Sequence, residues 1–539
     1  MKKVVVENVM SPNSRRIALF TSLIAFLLIG VILFPSAGRD DVHITYWVAY
    51  ALARFGSVVN YNMAHVEQSS SLLQVLLLAA MRDVTGLSVV NIGGVLSIAW
   101  GVCTIVACLY LLDKERLSYG YALAIATIPP FVYWSFGGLE TSLATFLVSM
   151  IVLVGQEQLH KVRWRIVLVF LTALYILVRP EGGIVMATYY AGVFLFVGKQ
   201  RHAFNLLVVT LVMFCLVCLW RWGYFGSLFP QPVSAKVGDT LVVKWINGLK
   251  YLVRMIRDYP LLALFYVSFL ARLSGEFRRS LDRKRLAFSS LSVMILVQLM
   301  FVVFAGGDWM EGARFIVPVM PLLLIVSILE IRRLLSDRFL KYFIFSLNVV
   351  GCLYFSFGYS TSFRIGHFFE VSDSVKEKYS FFEYMNAIHA RDIAFYDDVM
   401  SKVSLSSNQI PLIVSQQAGF VMFHFAQKHL GEYRFVDLVG LSTKDITSCA
   451  TSANLRRLSG GVHIGYWQYF SIRRDGVCTL PEPDIIFDLD DEGWRKLAFL
   501  KTHGYREVAR IQGSTDLGGF GLKNEILNNQ FLVVRSVGS

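Results

Sequence analysis

Long apolar runs alternate with short polar stretches along the chain as far as about residue 358. The first run, Ile17 to Phe34, is long enough to cross a hydrocarbon core of about 30 Å. Further runs follow at Leu87 to Leu112, Tyr121 to Trp134, Thr141 to Val154, Ile166 to Val178, Ile184 to Val197 and Phe204 to Trp220. The series ends with Pro260 to Leu270, Leu286 to Phe304, Phe315 to Leu329 and Tyr342 to Phe357. Read by hydropathy, this predicts about eleven membrane-spanning helices. Ser71 to Met81 is apolar but short and is closed by Arg82-Asp83, so it predicts a helix lying on the membrane surface. The segment from Arg39 to Gly86 is then the first external loop, and Gly223 to Arg257 a second sizeable one.

Beyond Tyr359 the pattern turns polar and mixed. Short β-rich runs (Pro411 to Val414, Asp484 to Phe487, Phe531 to Val534) alternate with helical stretches such as Ser380 to Ala390. The expectation is a helical polytopic domain over residues 1–358 and a soluble α/β domain over 359–539.

Composition agrees, with 55% hydrophobic residues and only 17% charged, against about 25% charged in a soluble domain. The net charge of +13 does not point to nucleic acid, because its Lys and Arg residues sit in short clusters between apolar runs. Lys2/Lys3/Arg15/Arg16, Lys114/Arg116, Lys161/Arg163/Arg165 and Arg278/Arg279/Arg283 all fall on one side of the predicted spans, the positive-inside pattern. That puts the N-terminus in the cytoplasm and the C-terminal domain outside, in a bacterial inner membrane with a periplasmic domain. Ser36-Ala37-Gly38 mimics a cleavage site, but the run before it is longer than a signal core, so an uncleaved anchor is expected. Five of the seven cysteines lie in apolar runs and read as packing residues. Cys449 and Cys478, in polar sequence, are a possible disulfide on an oxidising side.

Polar residues at the ends of the apolar runs carry the candidate chemistry. Asp40 and Asp41 follow the first span directly, where an ionised group is costly without a partner or a task. His43, Asn60, Glu67, Glu140, Arg179, Glu181, Lys236, Asp308, Glu311 and Arg314 come from separate loops on the same predicted face. Aromatics such as Tyr224 and Trp309 accompany them. Carboxylates can take a proton, cations can hold a phosphate, and aromatics can stack on sugar rings. There is no P-loop, no His/Cys metal set and no Gly-x-Ser-x-Gly, so neither nucleotide-driven nor metal-dependent hydrolysis is supported. No cofactor or metal is expected.

The stretch DDVHITYWVAYALARFGSVVNYN (Asp40 to Asn62) resembles the opening of the polyprenyl-phosphate-sugar-dependent glycosyltransferases of the GT-C class. It is most similar to the arabinofuranosyltransferase branch, which includes the terminal arabinofuranosyltransferase of actinobacterial cell walls. The same order of motifs continues in GGLET (Gly137 to Thr141), RPEG (Arg179 to Gly182), RWGYFGSLFPQPVSAK (Arg221 to Lys236), GGDWMEGARFIVPVMPLL (Gly306 to Leu323) and FVDLVGLSTKDI (Phe435 to Ile446). The chain departs from the branch at Pro230-Gln231-Pro232, where Pro-Asn-Thr is usual, and at Tyr46-Trp47, where a Tyr-Arg-like pair is usual. The resemblance implies inverting transfer of D-arabinofuranose from a polyprenyl-phosphate donor to an extracytoplasmic acceptor, pilin or a surface glycan.

It further implies that Asp40 or Asp41 is the base, with Asp40 marginally the better fit by motif position. Arg179, Lys236 and Arg314 would hold the phosphate, with Glu140, Glu181 and Asp308 around the donor. His43, Glu67, Tyr224 and Trp309 would line the acceptor side of the pocket. The soluble domain, through Asp437 to Leu441, would shape the acceptor cleft. The expected partners are the bilayer, the lipid-linked donor and the acceptor, with the enzyme a monomer. Competing readings are a transferase of the same class for mannose or aminoarabinose, a lipid-linked sugar transporter or flippase, and a degenerate sugar-binding scaffold. A transporter would place its ionisable residues at mid-membrane on repeated broken helices, and this chain shows neither.

Overall fold

The computed structural model describes residues 12–34, 41–155, 161–198, 201–236, 241–282, 288–308, 312–332, 334–357, 410–415, 418–452, 469–470, 478–489, 502, 505–512 and 529–535. The domain boundary expected at 358/359 and the helix expected at Ser380 to Ala390 lie outside these residues.

The N-terminal domain is helical throughout. It comprises α1 (Pro12–Leu33), α2 (Val42–Phe55), α3 (Leu72–Thr85), α4 (Val89–Lys114), α5 (Tyr121–Ala126), α6 (Pro129–Ser135), α7 (Thr141–Gly155) and α8 (Val162–Val178). It continues with α9 (Gly182–Gly192), α10 (Arg201–Phe225), α11 (Gln231–Lys236), α12 (Leu241–Asp258), α13 (Leu261–Asp282), α14 (Ser290–Ala305), α15 (Met320–Ile331) and α16 (Asp337–Phe357). Neighbours pack pairwise, α4 on α7, α9 on α10, α12 on α14 and α13 on α15. Large apolar side chains on α1 and α10, among them Phe20, Val31, Val212 and Leu216, face outward, as expected of helices whose solvent is hydrocarbon.

Among the described residues, three helices have the length and composition of a full span: α1 from Asn13, α4 and α10. The bent pair α12/α13, with 119° between its arms, makes a fourth candidate. Thr141–Gly155, Gly182–Val197, Ser290–Ala305 and Val317–Ile331 are apolar but shorter. The run Tyr121 to Trp134 is not one helix, because Pro129 and Pro130 have no N–H to donate to the preceding turn. Ile128 N turns to Ile125 O instead. The vacated Ala124 carbonyl is taken by Asn348 Nδ2 at 2.7 Å, and Thr127 O by Cys352 Sγ, both from α16. The 39–86 segment contains two helices, α2 and α3, packed against each other. The segment expected as a loop from Gly223 to Arg257 is helical from Leu241.

The C-terminal domain is built on a mixed five-stranded sheet of β1 (Leu412–Ser415), β2 (Arg434–Asp437), β3 (Ile485–Leu489), β4 (Tyr505–Gln512) and β5 (Asn529–Arg535). The order is β2-β1-β3-β5-β4, with β1 parallel to β2 and β3, and β5 antiparallel to β3 and β4. Helices α17 (Phe420–Lys428) and α18 (Lys444–Ser452) flank it, and Cys449 is joined to Cys478 in a disulfide.

This domain is seated on the segment between α2 and α3. Asn62 acts as one more rung beside edge strand β2: its Oδ1 accepts from Phe435 N at 2.7 Å and its Nδ2 donates to Phe435 O at 2.8 Å. Tyr61 OH donates to Ala418 O at 2.8 Å, and Asn60 Nδ2 to Ser442 O at 3.0 Å. Truncating Asn62 removes both bonds of this half-buried rung, each worth about 0.5–1.5 kcal/mol. Asn62→Ala is therefore expected to speed amide exchange at Phe435 and its neighbours in β2 while leaving β1 protected. Unchanged exchange at Phe435 would show that the rung does not hold the domain.

Candidate active site

The site begins at α2. Asp41 is its N-cap residue and has helical backbone angles, and its side chain makes no capping bond to its own helix. The carboxylate thus lies in the field of the helix's positive end with its oxygens turned elsewhere. One of them is 3.8 Å from Arg314 Nη1. Arg314 Nη2 is 2.6 Å from Asp308 Oδ2. Asp308 follows Gly306 and Gly307, at φ +83° and +76°, angles that side chains with a Cβ rarely adopt. On the Arg314 side, Trp134 Nε1 donates to Gly312 O at 2.7 Å and Gln298 Nε2 to Phe315 O at 2.9 Å.

A second pair lies alongside. Arg179, at the C-terminal end of α8, has Nη1 3.4 Å from Glu140 Oε1. Glu140 follows a turn through Gly138, at φ +80°, where a Cβ would collide with the Tyr46 hydroxyl. The Phe315 ring links the two pairs, with the Arg179 and Arg314 guanidinium carbons 5.8 and 5.4 Å from its centroid, within cation–π range. Glu181, at the start of α9, completes the group.

Charge is nearly balanced here. Burial works against the Arg314 cation, but Asp308, Asp41 and Glu140 outweigh it and raise its pKa. Burial raises the pKa of Glu181 against the pull of Arg179, favouring its neutral acid. Arg254 adds a cation nearby, its Nη2 donating to Asp308 O at 2.8 Å. Asp41, Glu140, Asp308 and Glu181 are thus set among Arg179, Arg314 and Arg254. An incoming phosphate would compete for guanidinium donors rather than meet a surplus of negative charge. Arg179 Nη2 and Arg314 Nε are buried and make no hydrogen bond within the described residues.

An open cleft with about 370 Å³ of empty space leads to this group. Asp41, Glu140 and Arg314 line it, together with Thr45, Gln68, Ser69 and Ser70. Ile44, Leu139, Pro232 and Leu441 supply its apolar surface. The 67–70 segment is tied to α2, since Thr45 Oγ1 and Ser69 Oγ share a hydrogen bond of 2.9 Å and Gln68 Nε2 donates to Ile44 O. A sugar headgroup, with hydroxyls and C–H faces, matches such a mixed lining.

Six residues expected at the site are therefore brought together: Asp41, Glu140, Arg179, Glu181, Asp308 and Arg314. Asp40 and Trp309 lie outside the described residues, as does the side chain of Lys236, although its helix α11 borders the cleft through Pro232. Three expected residues are placed elsewhere. His43 is buried against Phe420 and Phe423 of α17, with ring centroids at 4.6 and 5.4 Å. Its place as the second residue of α2 points it at the C-terminal domain rather than the cleft.

Glu67 faces away from the cleft and pairs with Arg221, whose Nε is 2.9 Å from Glu67 Oε2. Burial pushes Glu67 up to about 7 in spite of that partner. Tyr224 stacks on Trp220, and its hydroxyl accepts from Val58 N. Gln68, Ser69, Arg221 and Arg254 were not singled out by the sequence. The signal for Arg221 was an arginine ending an apolar helix.

Removing one member of a buried ion pair costs about 3–5 kcal/mol, because the other charge remains uncompensated. Arg314→Met and Asp308→Asn are each expected to lower thermal stability in detergent on that scale, and the double variant to lose less than their sum. Additive losses would show that the two groups do not depend on each other.

No protein-family model matches the chain. Among curated proteins, a terminal β-(1→2)-arabinofuranosyltransferase of Corynebacterium glutamicum is 29% identical over 179 residues. That match covers 30% of this chain and 25% of the relative, so only a quarter of the relative's length is spanned. Among solved structures, ArnT from Cupriavidus metallidurans bound to undecaprenyl phosphate aligns with a TM-score of 0.54 and 13% identity, over 98% of this chain and 99% of that one. The same protein in the apo state aligns with a TM-score of 0.52 and 14% identity, over 96% and 97% of the two chains. At such identity the likeness is one of architecture, and it extends from end to end. The chain has the fold of a GT-C membrane protein, a helical membrane domain carrying a C-terminal α/β domain.

Proposed function

We propose that the protein is an inverting glycosyltransferase that takes its sugar from a polyprenyl-phosphate donor. The observation that carries this is Asp41, a carboxylate on the wall of a cleft, beside the buried guanidinium of Arg314, with Arg179 behind Glu140 on the same wall, each guanidinium keeping an unsatisfied donor. The donor's lipid tail would stay in the bilayer and its sugar phosphate would enter the cleft. Arg314 and Arg179 would hold the phosphate through charge-assisted hydrogen bonds.

In the reaction, an acceptor hydroxyl attacks the anomeric carbon from the face opposite the phosphate. The new C–O bond forms as the bond to the phosphate oxygen breaks, and that electron pair leaves on the lipid phosphate. Asp41 takes the hydroxyl proton as positive charge develops on the sugar. Phosphate is a good leaving group, so no general acid is needed. The donor sugar in this reading is D-arabinofuranose, supported by the partial match to the corynebacterial arabinofuranosyltransferase. The acceptor is pilin or a surface glycan, met on the periplasmic side of the inner membrane. A GT-C transferase of another lipid-linked sugar is the second reading, favoured by the end-to-end likeness to ArnT.

Loss of a positioned base costs about 10²–10⁴-fold in rate. Asp41→Asn is expected to lower transfer from polyprenyl-phosphoryl-arabinofuranose by that factor while leaving donor binding largely intact. Asp40→Asn, made separately, distinguishes the two carboxylates: the variant that loses transfer marks the base. Full activity in both variants would remove the first-loop base from the mechanism. Transfer from a mannose or aminoarabinose donor, with none from arabinofuranose, would select the second reading.

A further inference from the structure

Leu441 is a wall of the cleft that comes from the other domain. It lies just after β2, and it reaches the cleft packed with Ile44, Ala235 and Ala418. Three independent sets of bonds hold it there. Within its own domain, the buried Asp437 carboxylate accepts from Val439 N at 2.8 Å, Leu441 N at 2.6 Å and Ser442 N at 2.9 Å, which folds the loop around one side chain. From the membrane domain, Gln231 Nε2 donates to Gly440 O at 2.9 Å and to Thr447 Oγ1 at 2.6 Å. Asn60 Nδ2 donates to Ser442 O at 3.0 Å. The carbonyls on both sides of Leu441 are thus gripped by membrane-domain amides, and its own N–H is gripped by Asp437. A loop held only for docking would not need its central apolar residue fixed from three directions and turned into the cleft.

We infer that Leu441 is a specificity-determining residue: it forms the apolar wall against which a C–H face of the donor sugar packs, so it selects the sugar by size and shape. Asn60, Gln231 and Asp437 are positioning residues for that wall. The inference rests on the proposed use of a lipid-phosphate sugar, and it assigns the selection to the C-terminal domain while the phosphate is held by the arginines of the membrane domain. The two contributions are separable by experiment, because polyprenyl phosphate carries the phosphate without the sugar.

The test compares binding of polyprenyl phosphate alone, a pentofuranosyl polyprenyl phosphate and a hexopyranosyl polyprenyl phosphate to the full chain in nanodiscs. Wild type is expected to favour the pentofuranosyl donor. Leu441→Ala is expected to shrink that preference about tenfold, the scale for losing part of an apolar pocket wall. Leu441→Val should shrink it less, and polyprenyl phosphate alone should bind all three proteins equally. An unchanged sugar preference in Leu441→Ala, with polyprenyl phosphate still bound, would overturn the inference. So would loss of polyprenyl phosphate binding in both variants, since Leu441 would then act on the fold. If wild type binds none of the three ligands, the failure lies with the proposed function instead.

Discussion

A buried guanidinium is the constraint around which the cleft is assembled. Arg314 is never neutral in a protein, and its side chain is only 7% exposed, so its surroundings must supply negative charge. Asp308, six residues earlier and just after Gly306 and Gly307, pairs with it directly, and Asp41 adds a second carboxylate from the start of α2. Meeting that one requirement brings the turn before α15 against the first helix of the 39–86 segment. Phe315 then lies next to a second guanidinium, Arg179, with its own carboxylate Glu140. Two arginines matched by acids, with donors to spare, make a place where an anion can exchange partners without either side becoming an isolated charge.

Much of this was legible in the sequence, and for a physical reason. Charges at the ends of apolar runs are costly unless used, so Asp41, Glu140, Arg179, Glu181, Asp308 and Arg314 stood out singly. The one-sided placement of Lys and Arg put all six on one face. Gln68 and Ser69 were invisible because neutral polar residues in a loop break no rule. Glu67, His43 and Tyr224 looked equally anomalous in sequence, yet each found a partner outside the cleft: Arg221, the aromatic face of α17 and Trp220. Sequence marks a residue that needs a partner without saying which partner it takes.

The elements follow the same division. Hydropathy averaged over a window carried the run from Tyr121 to Trp134 straight through Pro129-Pro130, although two adjacent prolines are a strong break signal, and the structure divides it there. Helix α12 escaped notice because its apolar and basic residues are interleaved, and averaging cancels an amphipathic pattern that a 3.6-residue period would have kept. In the C-terminal domain β1, β3 and β5 were read from unbroken apolar cores. Strand β4, Tyr505–Gln512, mixes charged and apolar residues around a register shift between Glu507 and Ala509, so neither an apolar run nor a clean alternation marks it. Edge strand β2, Arg434–Asp437, has only two apolar residues, Phe435 and Val436, between charged ends, too little to stand out as an apolar run.

The bonds that join the two domains are of a different kind from those that build the charged group. Asn60, Tyr61, Asn62 and Gln231 are all neutral, and all of them bond to backbone atoms of the C-terminal domain. An ion pair in their place would vary with salt and pH, and its field would reach Arg314 and Asp41 across a cleft of low dielectric. Amide and hydroxyl bonds to backbone fix direction and register without adding charge. Seating of the C-terminal domain is therefore separated from the electrostatics of the cleft. Leu441 is held in place by bonds that leave the charges beneath it unaltered.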